Sequence, residues 1–362
     1  MKKDSLIKGT LILALAAFTA RFLGMIVRAP LLYLLGTEGM ASYVIANNIY
    51  LVLLIVATAG IPSALSKLIS EKMALDKEEE ARQIFRAAVS FSVSAGVIVT
   101  AAFYGAAPFI AQVAENPAST LSIRALAPAL LLFPTIAIMR GYFQGRQMMM
   151  AGGLSQIFEQ FARVGTAVGL AYLLVVLGYS TDRVAAGASF GGVAGAVFAF
   201  LVMLLFWRKL KKTDAADRAL HQSAVKLKKR SIYKSIFALS LPIAIFSMAV
   251  PLVNAIDSSS LIFLLKDKLG LAQATDVLGL LGGKAQPIAG IPPILATALS
   301  MSILPIVSTA FAKNDLQEVA QKSSQTFQIS ILSGLPLVLM IVLAARPLNG
   351  FLFPDTSGTS YI

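Results

Sequence analysis

A chain of 362 residues that is 57% hydrophobic, with 14% charged residues and a mean hydropathy of +0.77, does not have the composition of a soluble domain, which carries about 25% charge. The formal charge of +13 points to Lys/Arg-rich cytoplasmic loops of a membrane protein rather than to nucleic acid. The absence of cysteine removes disulfides, thiolate metal sites and cysteine nucleophiles.

Apolar runs fall at 9–35, 43–66, 87–113, 121–143, 154–178, 184–207, 236–265, 286–311 and 326–352. Each is at least as long as the roughly 20 residues that a helix needs to cross the hydrocarbon core, so the expectation is an all-α integral membrane protein of about nine transmembrane helices. A β-barrel would instead show segments of about ten alternating residues. The first run is too long for the apolar core of a signal peptide, and no small-residue cleavage site closes it.

The connecting segments set the orientation. Lys2 and Lys3, the 67–86 segment (Lys67, Lys72, Lys77, Arg82, Arg86), Arg146, the 208–234 segment, Lys313 and Lys322 fall on one side. The opposite loops are short and poor in cations, with Glu38, Glu115, and Asp182 beside Arg183. Lys266 and Lys268 are the exception, diluted by Asp267. The positive-inside rule then predicts a cytoplasmic N-terminus. Trp207, before Arg208 and Lys209, has the pattern of an interfacial anchor. The polar stretch 208–235 reads as a basic cytoplasmic linker between an N-terminal six-helix lobe, 1–207, and an incomplete second lobe, 236–362.

Charges inside the apolar runs carry the functional signal, because an intramembrane ion usually faces a bundle interior or a watery cavity. Arg21 and Arg28 in "ARFLGMIVRAP" are seven positions apart and so lie within about 20° of one another on a helix. They form either an anion-binding stripe or structural arginines bonded to carbonyls or a buried carboxylate. Arg28 is nearer the outer end, with Pro30 predicted to bend the helix just beyond it. Asp257 in "PLVNAIDSSS" sits where prolines and serines suggest a broken, polar helix. It is a candidate for neutralising an arginine of the first helix, for a coupling cation, or for capping a break. Lys284 in "GLLGGKAQP" is either a site cation or an interfacial anchor. Glu159 and Arg163 have ion-pair spacing, as a structural pair or a cavity feature. In "RGYFQGRQ", Gly141 and Gly145 have the spacing of a close helix contact. Arg140 and Arg146 there read as inner-face contacts to lipid phosphate or as basic anchors of a helix end.

A weak internal repeat relates residues 60–96 to 303–334. Glu80, Gln83 and Gly96 match Glu318, Gln321 and Gly334 at one constant offset, as in transporters built from parallel repeats. No phosphate-cradling Gly loop, Ser/His/Asp set or metal-ligand cluster is present in the sequence, so the chain calls for no catalytic residues, no metal and no cofactor, and enzyme activity is not expected.

Three stretches, 8–39, 57–72 and 140–164, together resemble the polysaccharide-biosynthesis branch of the multidrug/oligosaccharidyl-lipid/polysaccharide (MOP) exporter superfamily. The likeness is to the stage V sporulation protein B and YtgP-like group, related to MurJ lipid II flippases. The resemblance implies a MATE-like, V-shaped fold of fourteen helices in a bacterial cell membrane. It also implies movement of an undecaprenyl-pyrophosphate-linked saccharide, lipid II or another cell-wall precursor, between leaflets by alternating access. In such proteins cations of helices one and eight hold the pyrophosphate. Arg21 matches the helix-one pattern, Arg28 is one residue out of step with it, and Lys284 stands where a cation precedes helix eight. Implied partners are the lipid-linked substrate, membrane lipids and cell-wall synthesis proteins. The later helices of the family lie outside this chain, so the expectation is a piece of a longer protein or a short relative. Two rivals are kept: a cation-coupled drug exporter of the same superfamily, and a non-transporting scaffold for cell-wall or spore-coat synthesis.

Overall fold

The computed structural model describes residues 6–58, 60–217, 229–290, 292 and 315–353. The described residues are helical almost throughout and contain no strand. Seven helical stretches among them are long and apolar enough to cross a membrane. The first predicted run appears as α1 (Leu6–Ile26) and the opening of α2 (Arg28–Thr58). The eighth, 286–311, lies largely outside the described residues.

Pro30 explains the break between α1 and α2. Its ring crowds the carbonyl four residues earlier, that of Ile26, where α1 ends. The interruption is slight: Val27 N–H donates to the Leu23 carbonyl and Leu31 N–H to the Val27 carbonyl, both at 3.1 Å. The rod turns at Gly36, whose φ of 63° and ψ of −176° lie outside the helical region and favour a residue without Cβ. Helix resumes at once, so the loop predicted at 36–42 is in effect one residue.

The chain then runs through α3 (Ile61–Ala74), α4 (Glu78–Val113), the short α5 (Ser119–Leu126) and α6 (Ala129–Gly145). The bundle continues with α7 (Met149–Val176) and α8 (Thr181–Asp217). One core of this bundle joins Tyr50, Leu65, Phe103, Phe133, Tyr142 and Phe143. Gly141 and Gly145 bring α6 against α3: a Cβ would meet the Pro62 carbonyl at 2.7 Å from Gly141 and the Ser66 carbonyl at 2.7 Å from Gly145. The predicted small-residue contact is therefore observed. Trp207, expected as an interfacial anchor, packs at a tilt against Phe85 with ring centroids 4.5 Å apart, and α8 continues ten residues past it.

Across the polar stretch, α9 (Lys229–Leu269) crosses the bundle in one helix despite Pro242 and Pro251. Near one end the Tyr233 hydroxyl donates to the Ala87 carbonyl at 3.4 Å, and Phe91 packs edge-on against Phe237. Midway, Asn48 Nδ2 donates to the Asn254 carbonyl at 3.3 Å. At the far end, Lys266 meets Glu115 at 2.8 Å. Next come α10 (Leu271–Leu280), one π-helical turn (Leu281–Ala285) and α11 (Gln286–Ala289). Pro287 rationalises the wide turn, since its ring crowds the Gly283 carbonyl and loosens the regular ladder. The described chain closes with α12 (Leu316–Leu343) and α13 (Ala345–Leu352).

The repeat is visible in helix starts. α4 begins two residues before Glu80, and α12 begins two residues before its counterpart Glu318.

Candidate functional site

Two clusters of charge lie inside the helical mass. The first lies where α2 meets the π-helical turn. Gly279, Gly282 and Gly283 form a row over which α2 lies; a Cβ on Gly279 would strike the Thr37 carbonyl, and one on Gly282 the side chain of Val44. That close approach lets Arg28 Nη1 donate to the Gly282 carbonyl at 3.2 Å, while the guanidinium carbon lies 5.4 Å from the Tyr43 ring centre. Two residues on, Lys284 is 1% exposed, with Nζ 5.5 Å from the Phe353 ring centre. Arg28 and the segment carrying Lys284, far apart in sequence, therefore meet. The carbonyl-bonded alternative for Arg28 is realised for one of its donors, and the burial of Lys284 is not that of an interfacial anchor. Arg21 belongs to α1, but its side chain lies outside the described residues. Its backbone is one turn from Gly24, where a Cβ would sit 3.2 Å from Gln160 Nε2 of α7.

The second cluster joins α6 to α7. Arg140 Nη2 donates to Glu159 Oε2 at 2.8 Å and to Ser155 Oγ at 2.8 Å, and Ser155 Oγ donates to the Ala199 carbonyl at 3.3 Å. Arg163 Nη2 lies 3.6 Å from Glu159 Oε1, so the predicted i,i+4 pair forms, but with a second guanidinium on the other carboxylate oxygen. Arg140, expected at a lipid phosphate, has one donor nitrogen on both Glu159 and Ser155. Its register on α6 turns it toward α7, and the guanidinium is held by Glu159 and Ser155. Arg146, given the same expectation or that of a basic helix-end anchor, directly follows the last residue of α6. It pairs with Glu78 at 2.9 Å and donates to the Tyr142 hydroxyl at 2.9 Å. Glu78 also pairs with Arg82 at 3.0 Å, and Glu80 with Lys72 at 2.6 Å. This ion-pair group knits α3, α4 and α6 at one end of the bundle. Positive-inside counting groups these residues by side, but it does not distinguish paired cations from lipid-facing ones.

Beside the second cluster, α2, α3, α6 and α7 line a half-open cavity of about 480 Å³. Sequence reading did not find it. The available signal was that Arg140, Gln144, Gln156 and Glu159 all lie in or next to apolar runs.

Asp257 lies on the exposed face of α9, and the helix passes through 251–260 unbroken. The predicted break is absent, because the other residues around Pro251 keep helical geometry. Asp257 makes no ion pair with Arg28 or Lys284 among the described residues. No group of three or more His, Cys, Asp or Glu placed to hold a metal occurs among the described residues.

The fold and its interior charge define a multi-pass, all-helical membrane protein of the MATE-like type. Residues 6–311 match the polysaccharide biosynthesis protein family, and the chain belongs to that family, within the MOP superfamily. It is 28% identical over 364 residues to the lipid II flippase MurJ of Bacillus subtilis (strain 168), covering 98% of this chain and 67% of that protein. Stage V sporulation protein B of the same organism is 27% identical, covering 100% of this chain and 69% of the relative. The chain thus spans about two thirds of the length of these relatives. Among solved structures, an inward-facing multidrug resistance MATE family transporter of the MOP superfamily superposes with a TM-score of 0.64 at 15% identity, covering 98% of this chain and 77% of that one. A MOP superfamily transporter from Pyrococcus furiosus, described as having reversed polarity of its binding pocket, superposes with a TM-score of 0.62 at 14% identity, covering 98% and 75%.

Proposed function

We propose that the protein works in a flippase that carries a pyrophosphate-linked saccharide lipid, lipid II or a related precursor, across a bacterial cell membrane by alternating access. In this reading the N-terminus is cytoplasmic, residues 1–207 form one lobe, and residues 236–362 begin a second across the 208–235 linker. The observation that carries the reading is the Arg28–Gly282 bond, which joins the helix-one cation to the segment of Lys284. Arg21, Arg28 and Lys284 supply the positive charge for the pyrophosphate. Lys284 is enclosed in this state, so it reaches substrate when α2 and the π-helical turn separate. An arginine fits this task because its fork holds phosphate oxygens bidentately while a remaining donor keeps its carbonyl. Transport, rather than bond chemistry, is what such a site performs. Asp257 is assigned to coupling or charge balance, with a membrane potential or ion gradient as the source of energy.

The test uses purified protein in nanodiscs and a fluorescent undecaprenyl-pyrophosphoryl disaccharide. Arg21→Ala and Arg28→Ala are each expected to weaken binding about tenfold, the loss of roughly one charge-assisted contact. Undiminished affinity in both folded variants sinks the reading.

A further inference from the structure

Arg28 and Tyr43 both belong to α2, fifteen positions apart. A straight helix would set their Cα atoms about 22 Å from one another, farther than an arginine and a tyrosine side chain reach together. The turn at Gly36 closes that distance, and the guanidinium carbon of Arg28 lies 5.4 Å from the centre of the Tyr43 ring. We propose that Tyr43 is a positioning residue for Arg28: its ring face holds the guanidinium so that the free edge is presented to an anion. The identity of that anion, the pyrophosphate of a carried lipid, rests on the flippase reading; the positioning does not.

Three pieces of chain build the arrangement. The π-helical turn nests in the angle between the two arms of α2. A Cβ on Gly283 would lie 3.2 Å from Leu32 of the first arm and 3.1 Å from Met40 of the second. Gly282 lies against Val44, the chain neighbour of Tyr43. Tyr43 is half-buried and packs against the core that contains Leu31, Leu35 and Ile45, so its ring is fixed by neighbours on both arms. Arg28, with a long and flexible stem, gains its order from what it rests on.

The consequence follows from the shape of a guanidinium. Its five N–H groups lie in one plane, and a ring against its face uses none of them. The Gly282 carbonyl takes one Nη1 donor at 3.2 Å, and among the described residues no carboxylate takes another. Bonded at one edge and backed by a ring, the fork turns its remaining donors in a set direction, where two of them match a pair of anion oxygens. Without the ring, the fork swings about the single bond to Gly282. Binding an anion then includes the cost of fixing it.

Two measurements on the full purified chain test the proposal. The first needs no anion: phenylglyoxal modifies arginine, and peptide mass spectrometry reads the rate at Arg28 in detergent micelles. Tyr43→Leu is expected to raise that rate about fivefold. Tyr43→Met, a longer side chain without a ring, should act alike, and Tyr43→Phe, which keeps the ring face, should stay within about twofold of wild type. The second is affinity for the fluorescent undecaprenyl-pyrophosphoryl disaccharide in nanodiscs. Tyr43→Leu is expected to weaken it about fivefold and to have no further effect when Arg28 is already Ala. Four outcomes overturn the proposal: unchanged labelling of Arg28 in the folded ring-less variants, labelling raised as much by Tyr43→Phe, unchanged affinity in Tyr43→Leu while Arg28→Ala lowers it, or the same fivefold loss in the Arg28→Ala background. Lipid affinity that ignores both Arg21→Ala and Arg28→Ala defeats the flippase reading instead, and the labelling contrast is measured independently of it.

Discussion

Lys266 of α9 and Glu115 in the α4–α5 link meet at 2.8 Å, tying the far end of α9 to the bundle formed by α1–α8. Thr37, beside the Gly36 turn, donates its hydroxyl to Asp276 of α10 and makes a second polar tie. Both members of the ion pair are about one third exposed, so solvent screens their attraction.

A double-mutant cycle measures this tie. Lys266→Met and Glu115→Gln are each expected to lower stability by less than about 1 kcal/mol, with a coupling of about 0.5 kcal/mol. The charge-swapped double variant Glu115→Lys/Lys266→Glu should recover most of what Lys266→Glu loses. Thermal unfolding in detergent reads all of these.

The Arg140–Glu159–Arg163 group is more enclosed. Glu159→Leu leaves two guanidinium groups facing each other and is expected to cost about 3 kcal/mol. Arg140→Leu leaves Glu159 still paired with Arg163 and should cost less. Equal losses would show that Arg163 gives the carboxylate no support.

The repeated glycines separate in consequence. A Cβ on Gly96 would sit 2.6 Å from the backbone carbonyl of Leu131, whereas one on Gly334 meets nothing within 4 Å among the described residues. Gly96→Ala is therefore expected to destabilise by about 1–3 kcal/mol through forced separation of α4 and α6. Gly334→Ala should be neutral or stabilising by up to about 1 kcal/mol, because it removes a helix-interior glycine. Unfolding midpoints of the two variants check the contrast.

Asp257 distinguishes two modes of transport. On its open face of α9 it touches neither Arg28 nor Lys284. Asp257→Asn is expected to leave affinity for the pyrophosphate lipid within about twofold of wild type, since no close pair is lost. The same variant should alter the dependence of transport rate on an imposed ion gradient. Drug efflux that needs Asp257 and ignores Arg28 would favour the cationic-drug alternative.

The helices were legible in the sequence because hydrocarbon leaves a polar backbone few ways to satisfy itself. The repeat registered even in where α4 and α12 begin. Gly141 and Gly145 revealed a contact but not its partner, since spacing identifies a face and says nothing of what lies on it. The cations were harder. A charge in an apolar run is expensive wherever it points, so composition could not tell Arg146, paired with Glu78, from a lipid-facing arginine. Arg140 and Glu159 lie on different helices, and only tertiary packing placed them together. Asp257 misled in another way: prolines and serines imply a break, yet a long helix absorbs them when its remaining hydrogen bonds persist.

From Leu6 to Gly36 the chain is one nearly continuous rod, its ladder carried past Val27 by the Val27–Leu23 and Leu31–Val27 bonds and lacking the bond that Pro30 cannot donate. At 1.5 Å per residue it is about 45 Å long, and Arg28 lies about 12 Å from the Gly36 end. A pivot at Gly36 would make it a lever of unequal arms. A tilt of about 5° sweeps the Leu6 end by about 4 Å but moves Arg28 by about 1 Å. A displacement that small stretches the Arg28–Gly282 bond without carrying the guanidinium out of reach of the π-helical turn. Such a pivot would give the far end of α1 more travel than the cation near the fulcrum, and it would have to slide Ile12 past Gly153 of α7.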